Sequence, residues 1–93
     1  MARNLFVSYD LDKPGQNYEG VIAEIKTHGG WAKVHYSLFY LATDESAEQV
    51  AKAVWAQMDQ NDRLLVIDAK NNDAYWYNLP ADVSKHIQSN WQR

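Results

Sequence analysis

Trp31-Ala32-Lys33-Val34-His35-Tyr36-Ser37-Leu38-Phe39-Tyr40-Leu41 is the stretch on which the fold turns. It is rich in aromatic and β-branched residues, which fit a pleated, half-buried surface, so it reads as extended. Its length admits either one long strand or two strands joined at a tight bend, and periodicity leaves both open. Upstream, Leu5 to Leu11 sets Leu5, Val7 and Tyr9 against Phe6, Ser8 and Asp10, the period of two that defines a strand. Asp12-Lys13-Pro14-Gly15 ends it, because Pro lacks a ladder donor and Gly relaxes the backbone. Tyr18, Val21, Ile22 and Ile25 then recur at helical spacing, which predicts a helix from about Asn17 to His28, stopped by Gly29-Gly30.

Downstream of the aromatic stretch, Ser46 and Gln49 have the spacing of a capping box. Ala47, Val50, Ala51, Val54 and Met58 continue as an apolar stripe, giving a second helix from about Ser46 to Asp59. Gln60-Asn61-Asp62 makes a turn, and Leu64-Leu65-Val66-Ile67 reads as a buried strand ending at Asp68. Asn71-Asn72-Asp73 is a further turn signal, and Pro80 ahead of Val83, Ile87 and Trp91 predicts a short terminal helix with a narrow stripe that docks on something.

If the middle stretch is a strand pair, the order is that of a split βαβ arrangement. The expected fold is then α+β, a ferredoxin-like βαββαβ sandwich with a C-terminal extension, in which residues 1–93 form one domain and residues 70–93 the extension. Two helices would cover one face of the sheet. The face carrying Phe6, Ser8 and Asp10 is the more polar side of the first strand and so the natural choice for the face without them. An apolar ring beside a carboxylate there suggests contact with a partner.

At 93 residues, with 46% hydrophobic and 13% aromatic content, the chain has material for one small core and enough apolar surface to fold. It contains no cysteine, which excludes a disulfide framework, a thiolate zinc site and a cysteine nucleophile. With no signal-peptide pattern and no apolar stretch near the roughly 20 residues of a membrane span, the expectation is a cytoplasmic protein without a membrane partner. The net charge of −3 is spread evenly, so any contact with nucleic acid must come from local geometry rather than overall charge.

Asp10, at the end of the first strand, is the principal chemical candidate. A carboxylate there offers a hard oxygen ligand on a rigid support, and Mg²⁺ takes only one or two protein carboxylates, so one Asp10 from each subunit of a dimer would suffice. Asp12 is the nearest additional carboxylate. The plainer role for Asp10 is to accept backbone N–H bonds in the following turn. His28, His35 and His86 lack metal-ligand spacing. His35 and Lys33, close together on a strand, could both meet an anion. Gly29-Gly30 ends a helix rather than opening one, so there is no phosphate loop, and Ser8 and Ser37 show no relay spacing. Tyr75-Trp76-Tyr77 has the look of a base-stacking platform, but its neighbours are Asp68, Lys70 and Asp73, so packing on the sheet edge or on a second subunit is the favoured role.

Tyr9-Asp10 ending the first strand, taken with Lys33-Val34-His35-Tyr36-Ser37-Leu38-Phe39, resembles the small CRISPR-associated Cas-two family of the spacer-adaptation pair. More closely, the chain looks like the SinR-like branch of that superfamily, which also includes the virulence-associated protein D toxins. The resemblance implies a homodimer whose sheets face each other, with Phe6, Ser8, Tyr75, Trp76 and Tyr77 as candidate interface residues and the C-terminal segment of one subunit exchanged or packed across the dimer. It implies Asp10 as catalytic and metal-ligating residue, Mg²⁺ as cofactor, RNA or DNA as partner, and Lys13, Lys33 and His35 as candidate nucleic-acid contacts. The family commonly carries Arg where this chain has Lys13 and Lys33. Lys cannot make the bidentate phosphate fork, which counts against gripping duplex DNA and against partnership with an integrase more than it counts against metal-assisted hydrolysis.

Overall fold

Ser37 settles how the aromatic stretch folds. Its φ of 67° lies in the left-handed region that L side chains rarely adopt, and with Tyr36 it forms a tight turn between two strands. The structure, a computed structural model, describes residues 3–12 and 17–91. Its elements run β1 (Arg3–Asp10), α1 (Tyr18–Lys26), β2 (Gly30–His35), β3 (Leu38–Thr43), α2 (Ala47–Trp55), β4 (Arg63–Asp68), β5 (Asp73–Tyr77) and α3 (Ala81–Asn90). The architecture is α+β, with the strands in one five-stranded antiparallel sheet of order β2-β3-β1-β4-β5. It departs from the expected six-element plan by a fifth strand, formed by the aromatic cluster that follows the Asn71-Asn72-Asp73 turn signal.

The central strand β1 alternates as its sequence demands. Leu5, Val7 and Tyr9 are buried, while Asn4, Ser8 and Asp10 are exposed. Phe39 and Leu41 of β3 and Leu64 and Val66 of β4 join the same core. The helices close that face. α1 contributes Val21 and Ile25, and α2 contributes Ala47, Val50, Ala51 and Val54. The Ser46–Gln49 capping box is present in both directions, with Gln49 N–H donating to Ser46 Oγ at 3.1 Å and Ser46 N–H to Gln49 Oε1 at 2.8 Å. Gly29 is needed for space, since a Cβ there would lie 2.1 Å from the Ala42 carbonyl oxygen. The run Leu64 to Ile67 is not buried throughout, because Leu65 and Ile67 point to the opposite face and are half-buried.

β5 pairs with β4 of its own chain, setting Tyr77 opposite Leu64, Trp76 opposite Leu65 and Tyr75 opposite Val66. Tyr75 and Tyr77 therefore face α2, where Tyr77 stacks on Trp55 at 4.7 Å and 4°. Trp76 faces the other way, and its Nε1–H donates to Ser84 Oγ of α3 at 3.0 Å. α3 buries none of its residues, and just beyond it Trp91 Nε1–H donates to the Asn72 carbonyl at 3.0 Å. The terminal helix thus docks through two indole N–H groups.

Three charged side chains tie loops to this frame. Asp62, fully buried, accepts from the backbone N–H of Asp12 at 2.8 Å and of Asp59 at 2.7 Å, fastening the exit of β1 to the approach of β4. Asp68 accepts from Arg3 Nη1 at 2.9 Å, from Asn71 Nδ2 at 2.9 Å, and from the backbone N–H of Lys70 and Asn71. Burial pushes the Asp68 carboxyl up, but the donors from Asn71, Arg3 and Lys70 outweigh it and hold it below its ordinary value of 3.8. His28 sits between two carboxylates, with Nε2 2.8 Å from Glu24 of α1 and Nδ1 against Glu45 of the β3–α2 loop. A neutral imidazole has one N–H, so serving both acceptors favours imidazolium. Burial would lower the His28 pKa, but Glu45 and then Glu24 overcome it and hold it above 6.5.

The two groups give opposite pH signatures. The Asp68 contribution is fully present above 3.8 and is lost as pH falls through its lower folded value. Urea unfolding of Asp68→Asn at neutral pH is expected to show a loss of about 1.5–3 kcal/mol, with the gap to wild type closing in acid. The His28 contribution is complete below 6.5 and fades as pH rises through its raised value. The His28 ring is expected to titrate above 6.5 by NMR, and the Tm advantage over His28→Gln should shrink as pH passes that midpoint. An unshifted titration would contradict the double carboxylate contact.

Candidate functional site

Antiparallel pairing brings cross-strand residues to one face, and β1 is paired on both sides. On the face away from α1 and α2, Phe6 lies opposite Tyr40 and Ile67, Ser8 opposite Leu38 and Leu65, and Asp10 opposite Arg63. The Phe6 and Tyr40 rings meet at 5.6 Å, and Tyr40 Oη donates to Asn4 Oδ1 at 2.6 Å. Phe6, Leu38, Tyr40, Leu65 and Ile67 form a half-buried apolar band, with Ser8 and Asp10 exposed beside it. The polar side of β1 is thus the side without α1 and α2, as its alternation predicts.

At the end of this band Asp10 and Arg63 stand as cross-strand neighbours, both exposed. Such neighbours have Cβ atoms roughly 4.5–5.5 Å apart. They line a cleft of about 150 Å³ with Ser8, Leu65 and Leu79. The residues bordering this small space thus include one arginine, one aspartate and one serine. A guanidinium can take two phosphate oxygens at once, and a rigidly held carboxylate can bind a hard cation or a proton-bearing water. Among the described residues no group of three or more His, Asp or Glu side chains converges to hold a metal. One carboxylate per chain is the donor set at Asp10, and a second chain would raise it to the two that Mg²⁺ takes at most from such sites.

The other sequence candidates separate. Asp12 is exposed, and its backbone N–H is committed to Asp62. Lys33 lies opposite Phe39, on the helix side of β2 and away from the Asp10 face. His35 lies opposite Leu38 after a register shift, and its Nδ1–H donates to the Tyr36 carbonyl at 2.9 Å. Lys13 falls outside the described residues. Of the five candidate interface residues, Phe6, Ser8 and Trp76 share the Asp10 face, with Trp76 hydrogen-bonded to α3, while Tyr75 and Tyr77 pack towards α2.

Two features escaped sequence reading. Arg63 opens β4, between the turn Gln60-Asn61-Asp62 and the apolar run from Leu64, and no local signal pairs it with Asp10, since only sheet register joins them. Trp31 and Tyr36, whose residue types predict a half-buried strand surface, are 45% and 72% exposed. Around them Tyr36 meets Tyr18 at 6.1 Å, and Tyr18 meets the buried Tyr9 at 6.3 Å. Desolvation holds the Tyr18 phenol above its ordinary value, followed by Tyr36 and a smaller push from Asp10. The turn at the end of the aromatic edge reaches β1 directly, where Tyr9 N–H donates to the Ser37 carbonyl at 3.1 Å.

Among known proteins, no family model, no curated protein and no solved structure matches the chain.

If Asp10 and Arg63 serve a ligand rather than the fold, removing either should leave stability nearly intact. Asp10→Ala and Arg63→Ala are each expected to shift unfolding free energy by less than about 0.5 kcal/mol in urea titrations. A loss above about 2 kcal/mol for Asp10→Ala would assign it the structural role of a turn acceptor.

Proposed function

We propose that this chain acts as a nucleic-acid-associated homodimer of the Cas-two-like superfamily, close to its SinR-like branch, and hydrolyses phosphodiester bonds of RNA or DNA with Mg²⁺. The observation that carries this reading is that Asp10 and Arg63 are cross-strand neighbours on the face away from α1 and α2, in a cleft that Ser8 also lines. The finer fold reading, with the first six elements forming a ferredoxin-like unit, belongs to the same proposal, as does exchange of the C-terminal segment between subunits.

In this reading two copies press their Phe6 and Tyr40 bands together and bring the two Asp10 carboxylates near a shared axis. An ion held by that pair would supply a polarised water for attack. Arg63 would grip two non-bridging phosphate oxygens and offset the charge that builds on them. The water oxygen forms the new bond to phosphorus, the ester P–O bond breaks, and the departing oxygen takes up a proton. A second reading, a catalytically inert dimeric scaffold, is favoured by the apolar continuity of the Phe6 to Ile67 band, which suits an interface whether or not any reaction occurs.

Cleavage of labelled RNA and DNA, with Mg²⁺ and with EDTA, decides between them. Hydrolysis is expected with Mg²⁺ alone, and Asp10→Ala and Arg63→Ala are expected to lower its rate by about 10²-fold or more. Equal cleavage by wild type and Asp10→Ala would sink the enzymatic reading. Sedimentation at micromolar concentration is expected to give a dimer, and a sole 10.7 kDa species would sink both readings.

A further inference from the structure

Gly30–His35 is one of the two outer strands of the sheet, and all of its residues are exposed. Trp31, Val34, Tyr36 and Val83 are the large hydrophobic side chains standing out among the described residues, and the first three belong to this strand or the turn after it. Cations sit on two of the rings. Lys26 Nζ, from the end of α1, lies 4.2 Å from the centroid of Trp31, and Lys33 Nζ lies 5.7 Å from that of Tyr36. Residues 30–37 contain no carboxylate, in a chain whose net charge is −3. The strip is thus a local reversal of the overall charge.

An outer strand with exposed aromatic rings invites another strand to pair with it. Here the pairing register shifts between Lys33 and His35, and a bulge with a lysine beside it is a usual defence against such addition. The rings are exposed on a strand built to refuse sheet extension.

We propose that this strip is a stacking platform for the unpaired bases of a single-stranded nucleic acid, with Trp31 and Tyr36 taking base faces and Lys26 and Lys33 the flanking phosphates. It rests on the nucleic-acid reading above and narrows its substrate. Every base offers a ring face when unpaired, and aromatic side chains over a cationic track bind single strands with little regard to sequence. A duplex keeps those faces stacked inside and offers only phosphates, which two lysines hold weakly. The platform also leads somewhere. Tyr9 N–H donates to the Ser37 carbonyl at 3.1 Å, so the turn holding Tyr36 is fastened next to Asp10. A strand laid from Trp31 to Tyr36 along the helix side of β2 ends at the same end of the sheet as Asp10, with the sheet edge between it and the Asp10 side chain.

Fluorescence anisotropy in EDTA, where hydrolysis does not compete, tests this with labelled oligouridylate, oligodeoxythymidylate and duplex DNA of about 12 units, a length within the usual single-strand site size. Both single strands are expected to bind at least about tenfold tighter than the duplex. Tyr36→Ala and Trp31→Ala should each weaken single-strand binding by about tenfold, within the range of one lost stacking contact. Lys26→Gln combined with Lys33→Gln should flatten the salt dependence by about 1.4, or about 0.7 per phosphate contact. Tyr36 is the variant least able to disturb packing, being 72% exposed, and circular dichroism checks that each variant folds. Duplex binding as tight as single-strand binding, or variants equal to wild type, overturns the platform. If the variants alter sedimentation and leave oligonucleotide binding unchanged, a second copy occupies the strip and the platform is likewise overturned. Binding with the expected dependences but no cleavage on adding Mg²⁺ supports the platform and removes only the hydrolytic reading. Cleavage indifferent to Trp31→Ala and Tyr36→Ala overturns only the platform.

Discussion

The two-sided pairing of β1 is the constraint on which the rest of this structure depends. β1 is hydrogen-bonded to β3 on one side and β4 on the other, so its alternation fixes the faces of both neighbours. With Leu5, Val7 and Tyr9 inward, Phe6, Ser8 and Asp10 have to point outward. A slip of one residue in either pairing would drive Asp10 into the core and expose the leucine and valine that hold the helices. Specification of the core and presentation of the candidate site are therefore one event, enforced by burial.

The loops that frame the site are fixed by buried charge. Asp62 holds the backbone on both sides of the β1 exit and the β4 approach, next to the Asp10–Arg63 pair, without taking part in it. Asp68 does the same at the far end of β4, where Arg3 at the start of β1 reaches it. Each carboxylate is buried because several N–H donors replace its hydration. Both ends of the β1–β4 pair are clamped in this way, which limits the freedom of Asp10 and Arg63 to drift apart. The same logic operates at His28, where two carboxylates from separate elements share one ring.

The sheet has two unlike exposed regions. The face away from α1 and α2 is an apolar band ending in an acid–base pair, a composition suited to association with charge at its rim. The β2 edge combines exposed rings with lysines and lacks carboxylates, a composition suited to an anionic, flat-ringed ligand. They meet at the Tyr36–Ser37 turn beside Tyr9. That meeting point joins the proposed reaction and the proposed binding strip in one spatial argument.

Much of the local structure was determined by the sequence alone. Period-two alternation defined β1 and its polar face, helical stripes and the Ser46–Gln49 pair defined α1 and α2, and Pro80 marked the start of α3. These are short-range signals, set by side-chain spacing and by nearby backbone donors. β5 left no such signal. Tyr75 and Tyr77 are covered by α2 and Trp76 is joined to α3, so the strand is aromatic on both sides and has no polar alternation to betray it. Tertiary structure alone decided that Ser37 would turn the chain, that Arg63 would stand beside Asp10, and that Trp31 and Tyr36 would be exposed on an edge. Each depends on register or strand order between segments distant in the chain, and those are chosen by the joint burial of a core to which no single segment holds the key.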